Sequence, residues 1–163
     1  MLELVSPYDP ILHKPCAKFD FRNPQVDIAN FGKALVQFMY DNNALGISAN
    51  QVGYPYQIFA MRGSPENFVL INSKIVDQSK ELTKLEEGCL SYKDLIVSVN
   101  RPSWVQMRCS HPDGSTKTYR FEGISAHVSL HEYAHSQGRT FLEDCSLIER
   151  EKAKKNWKKL CKI

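Results

Sequence analysis

His131, Glu132 and His135 form a His-Glu-x-x-His pattern, the arrangement in this chain best suited to chemistry. On an α-helix, positions four apart share a face about 6 Å apart, so both imidazoles can reach one metal ion. Glu132, between them in sequence, can take a proton from water on that ion. The competing reading is a pair of surface histidines around a glutamate. Against it, apolar Ile124, Val128 and Leu130 run into the segment, and Gly138 stands where a helix would end. His127 lies one turn earlier on the same face. A fourth protein ligand would fill the position that catalysis needs open, so His127 is not expected on the metal.

A catalytic metal needs a third protein ligand. Downstream, the position of a third histidine in the metzincin-like pattern is Phe141, and Glu143 and Glu149 follow too closely for the thermolysin-like pattern. Upstream, Cys89 sits in the run Glu86-Glu87-Gly88-Cys89-Leu90-Ser91. A thiolate binds zinc, iron and similar ions well, and Gly88 lets the backbone bend around it. A cysteine alone is as readily a small buried apolar side chain, and it is the paired histidines that favour a ligand. A third segment, from Ala44 to Gly53, is rich in small residues and carries Gln51. It reads either as a structural turn or as one that offers a primary amide to a developing oxyanion.

These residues need a scaffold, and the patterns predict an α+β fold. Antiparallel or mixed sheets should pack around a central helix carrying the His-Glu-x-x-His motif, with one helix near each terminus. Asn23 as N-cap and Pro24 at the first helical position predict the first helix. Its apolar face would be Ile28, Phe31, Leu35, Phe38 and Met39, ended by Asn42, Asn43 and Gly46. Strand-like runs follow at 57–62, 68–72 and 95–99. Runs at 104–109 and 116–121 flank an Asp113-Gly114 turn, a hairpin signal. The central helix is expected over about 125–137 and the last over about 147–160.

In that last helix Ala153, Trp157, Leu160 and Cys161 share a side, opposite Lys152, Lys154, Lys155, Lys158, Lys159 and Lys162. The apolar stripe should dock on the domain, leaving the lysines outward. A solvated charged face is the plain alternative to a binding surface there.

With 163 residues, 1–163 is expected to be one catalytic domain, with 146–162 as its basic C-terminal helix. A net charge of +3 is too small to argue for nucleic acid by itself. Five widely spaced cysteines, an odd number without a Cys-x-x-Cys pair, argue against a disulfide framework and for a reducing compartment. No apolar run approaches the roughly 18–20 residues that span a bilayer, and residues 1–16 lack the layout of a targeting segment. A cytoplasmic protein without a membrane partner is expected.

The three segments, in this order, resemble the signature motifs of peptide deformylases: Gly-x-Gly-x-Ala-Ala-x-Gln, Glu-Gly-Cys-Leu-Ser and Gln-His-Glu-x-Asp-His. Glu87 to Ser91 matches the middle motif fully, and the likeness covers nearly the whole chain. The resemblance implies that Cys89, His131 and His135 bind one divalent metal, ferrous iron natively, exchangeable for nickel, cobalt or zinc. It implies Glu132 as general base and then acid, and the Gln51 amide and Leu90 backbone amide as donors to the formyl oxygen. Gly46 would meet the substrate backbone, and Leu45, Leu85, Ile124, His127 and Val128 would line the methionine pocket. A polar His127 there is expected to weaken selection for large apolar side chains. The implied partners are N-formyl-methionyl nascent peptides and, through the basic C-terminal helix, the ribosome.

Departures are visible at Ala44, Ser48, Leu130, Ala134 and Ser136, where the family pattern has glycine, alanine, glutamine, aspartate and leucine. None removes a ligand, the base or the amide. Two other readings are a zinc-dependent peptidase, which would need a downstream third ligand, and a catalytically silent binding protein on the same fold. Retention of Cys89, Gln51, Glu132 and both histidines speaks against the second.

Overall fold

A computed structural model describes residues 1–161, so Lys162, assigned above to the basic face, lies outside the described residues. After a short 3-10 turn at Pro10–His13 come α1 (Ile28–Asp41), β1 (Gly46–Ser48) and a 3-10 turn at Ala49–Val52. β2 (Ile58–Met61), β3 (Phe68–Gln78), β4 (Leu82–Cys89), β5 (Tyr92–Pro102), β6 (Trp104–Ser110) and β7 (Thr116–Glu122) follow. The chain continues as α2 (Gly123–Ser136), α3 (Phe141–Asp144) and α4 (Leu147–Leu160). The strands make a five-stranded sheet, ordered β1-β2-β3-β6-β7, and a two-stranded sheet of β4 and β5. Every strand pair in both sheets is antiparallel, so the fold class is α+β as expected.

The first helix begins later than Asn23 and Pro24 suggest. Asp27 is its N-cap, and its carboxylate accepts from the Asn30 backbone N–H at 3.2 Å and the Asn30 side chain at 2.8 Å. That capping satisfies a helix N–H that would otherwise be orphaned. The expected apolar face holds: Phe31, Leu35 and Met39 are buried, with Ile28 and Phe38 packed beside them. Asn43 takes a left-handed φ of 52° and the Ala44 N–H returns to the Met39 carbonyl, closing the helix. Gly46 is not part of that ending; it opens β1.

β2 explains how the layers join. Its successive side chains point to opposite faces. Ile58 and Ala60 pack with Leu35 and Met39 of α1, while Phe59 and Met61 pack with Ala126 and Leu130 of α2. The sheet is therefore held between the first and the central helix. A third cluster joins Leu95, Val97 and Val99 of β5 to Phe141 and to Ala153 of α4. The Asp113-Gly114 hairpin is present, with Gly114 at φ 84°.

Candidate functional site

α2 separates two chemistries. Ala126 and Leu130 anchor it to the five-stranded sheet, and His127, His131 and His135 lie on its other side, all buried. Burying three imidazoles is costly unless each finds a partner or a metal. The donor atoms of Cys89, His131 and His135 all lie within 4.8 Å of one another. Cys89 Sγ is 3.4 Å from His135 Nε2, and the two ligand-candidate rings are 5.1 Å apart. Cys89 reaches this point because the β4–β5 register shifts between Gly88 and Cys89, a bulge that re-aims the last residues of β4.

Glu87 organises the other side of His131. Its Oε2 accepts from His131 Nδ1 at 2.9 Å, which turns the opposite ring nitrogen toward the cysteine. The same carboxylate accepts twice from Arg101, with the Nη2 contact at 2.9 Å, and once from His127 Nδ1 at 2.9 Å. Arg101 Nη1 also donates to Asp144 at 3.0 Å. Burial alone would push the Glu87 carboxyl up. The hydrogen bonds from Arg101 and His131 outweigh it and hold the group well below the usual carboxylate range. Burial likewise opposes charge on His131, yet the neighbouring Cys89 and Glu87 push its pKa up to about 10. His135, deep inside, is pushed the other way by burial and stays neutral. One neutral imidazole, one imidazole beside concentrated negative charge, and a sulfur are a donor set that fits a divalent transition metal.

Beside them, Glu132 is 4% exposed, and burial raises its carboxyl pKa. That is the direction a proton acceptor working near neutrality needs. A Cβ added to Gly46 would stand 2.6 Å from Glu132 Oε1, so only glycine lets β1 pass this close to the carboxylate. Gln51 is pinned at both ends. Its Oε1 accepts from the Ser48 N–H at 2.9 Å, and its Nε2 donates to Ser91 Oγ at 3.0 Å and reaches Cys89 Sγ at 3.4 Å.

All of this opens on a cleft of about 930 Å³. Of the residues singled out from sequence, Leu45, Gly46, Gln51, Leu85, Cys89, Leu90, Ile124, His127, Val128, His131 and Glu132 all line it. His135 lies behind the lining, fully buried. His127 lines the cleft yet is only 3% exposed, and its ring is engaged on both sides. Nδ1 meets Glu87, and Nε2 lies 3.0 Å from the Thr83 carbonyl and 3.2 Å from its hydroxyl. Its polarity is spent inside the wall. The downstream acids weighed for a peptidase are engaged elsewhere, Glu143 capping Thr140 and Glu149 facing Lys152.

Glu87, Arg101, Ser48, Ser91 and Asp144 were not assigned roles from sequence. One signal existed. In β5, Leu95, Val97, Val99 and Arg101 alternate as the inward face, and an arginine closing such a series demands a buried acid.

Fold and site together define a class: a metallohydrolase in which two imidazoles and a thiol converge beside a buried carboxylate at the floor of a cleft. Residues 1–151 match the model of the polypeptide deformylase family. A peptide deformylase from Brucella suis is 31% identical over 160 residues, covering 93% of this chain and 89% of that protein. Among solved structures, peptide deformylase 1B of Arabidopsis thaliana bound to an inhibitor superposes with a TM-score of 0.89 at 27% identity, over 98% of this chain and 90% of that one. The Thermotoga maritima peptide deformylase gives 0.84 at 25% identity, over 90% and 98%. The chain belongs to the polypeptide deformylase family. Its activity is that family's: metal-dependent removal of the formyl group from the N-terminal formyl-methionine of nascent polypeptides, with release of formate.

Proposed function

We propose that Cys89, His131 and His135 hold a single divalent metal, natively ferrous iron, with nickel, cobalt or zinc able to replace it. The observation that carries this reading is their convergence within 4.8 Å, next to buried Glu132 in the cleft. When bound, the metal makes water acidic enough to ionise near neutral pH. Glu132 takes the proton released as oxygen attacks the formyl carbon. The Gln51 side chain and the Leu90 backbone N–H donate to the formyl oxygen as it gains negative charge, contacts worth a few kcal/mol each in such sites. Glu132 then passes its proton to the leaving amine. Gly46 faces the substrate backbone, and Leu45, Leu85, Ile124, His127 and Val128 surround the methionine side chain.

Residues 1–163 act as one catalytic domain. The exposed lysines of α4 dock it on the ribosome, whose RNA supplies the negative surface. The setting is the cytoplasm; none of the described helices is long and apolar enough to cross a membrane. The direct test is formate release from formyl-Met-Ala-Ser by ferrous- or nickel-loaded protein. Cleavage of an unformylated peptide in its place would revive the peptidase reading.

A further inference from the structure

Ser48 stands where the family motif has alanine, and it is 1% exposed. Pairing with Phe59 across β1 and β2 fixes its backbone, and it caps the 3-10 turn that carries Gln51. Its hydroxyl lies 2.7 Å from Glu132 Oε2 and 3.1 Å from the Glu132 carbonyl. A hydroxyl has one proton, and the shorter contact to the charged acceptor is the stronger of the two. Among the described residues the other oxygen, Oε1, accepts no hydrogen bond; it sits against Gly46, the residue of β1 that lines the cleft.

We propose that Ser48 is a positioning residue for the general base: its hydroxyl anchors one oxygen of Glu132 and leaves the other presented to the cleft. This rests on the reading of Glu132 as the base. A carboxylate joined through a torsion with a broad, two-fold profile turns easily, and a hydrogen bond to one oxygen selects the productive orientation before substrate arrives. The same residue acts a second way. Its backbone N–H holds Gln51 Oε1, so that the Gln51 amide points its donors toward Cys89 and Ser91. Base and oxyanion donor are thereby set from one point on the chain. Only the hydroxyl is lost in Ser48→Ala, a change that removes one atom and adds none.

Ser48→Ala should lower kcat about tenfold, with KM and metal content unchanged. In a double-mutant cycle with Glu132→Gln, the second removal of the Ser48 hydroxyl should cost less than about twofold, because the group it positions is already gone. A purely structural role would give the same loss in both backgrounds. As a reading independent of turnover, the carboxylate stretch of Glu132, isolated as a wild-type minus Glu132→Gln infrared difference, should shift in Ser48→Ala. An unchanged kcat, an equal loss in both backgrounds, or an unmoved stretch overturns the proposal while leaving Glu132 as the base. Near-normal turnover of Glu132→Gln alone overturns the base assignment, and this inference with it.

Discussion

α2 and α4 are each 14 residues long, and they differ in nearly everything else. In α2, nine residues are buried, and six of them are polar: His127, Ser129, His131, Glu132, His135 and Ser136. In α4 the one buried residue is Ala153, with Trp157 half-buried over Tyr92 and its indole N–H on the Tyr8 hydroxyl. The lysines stand in water, and Leu147 and Ile148 are each 74% exposed. The difference lies in what each polar group costs. A buried imidazole or carboxylate loses its hydration and persists only where a partner or a cation replaces it. A solvated lysine loses almost nothing, so its presence carries little information about what it touches. Function is therefore dense in one helix and dilute in the other.

The strongest way to break this contrast is to empty the metal centre. Cys89→Ser should bind metal poorly and leave turnover at background, because a hydroxyl is a much weaker ligand than a thiolate. Metal analysis and formate release on one sample check it, and full activity in Cys89→Ala would refute the site. Next in size is Glu132→Gln, expected to keep its metal and lose at least about a hundredfold in kcat. Loss of metal in that variant would mean that Glu132 is a ligand rather than the base.

A smaller effect should come from Glu87→Gln, which sets an amide donor against the donors of Arg101 and two histidines. Metal affinity should fall about 10–100-fold while the apolar face of α2 stays docked. Titration of the apo protein with nickel, followed by circular dichroism, separates the two. The least effect on chemistry is expected at α4. Replacing Lys154, Lys155, Lys158 and Lys159 by glutamate should leave deformylation of a short peptide within about twofold, since all four face solvent. Co-sedimentation with ribosomes at low salt should disappear. Wild-type protein that fails to sediment at low salt would reduce α4 to a structural clasp.

Legibility from sequence followed the same physics. The helices at 125–137 and 147–160 were readable because apolar periodicity and, for the first, the bounding Gly138 act locally. The three metal-donor candidates were readable because helical spacing is a local property and the motif order is distinctive. β4 was missed: in Leu82–Cys89 only Glu87 is buried, so it shows none of the alternation that marks a half-buried strand. It is held by pairing with β5 and borders the cleft. β1 is three residues long, too short to carry a period. The partners of His127 and Glu132 lie 40 residues or more away in sequence, and only the folded register brings Glu87 and Ser48 to them.

The crowding at Glu87 also constrains how this sequence can drift. Each of its oxygens takes two donors, Arg101 and His127 on one, Arg101 and His131 on the other, which fills the acceptor capacity of a carboxylate. No single replacement at Glu87 or Arg101 can satisfy the groups left behind. A step away from this arrangement strands a buried donor or acceptor, and the step that would relieve it lies on a different strand or helix. These positions can be traversed only in company, while the lysines of α4 can wander one at a time.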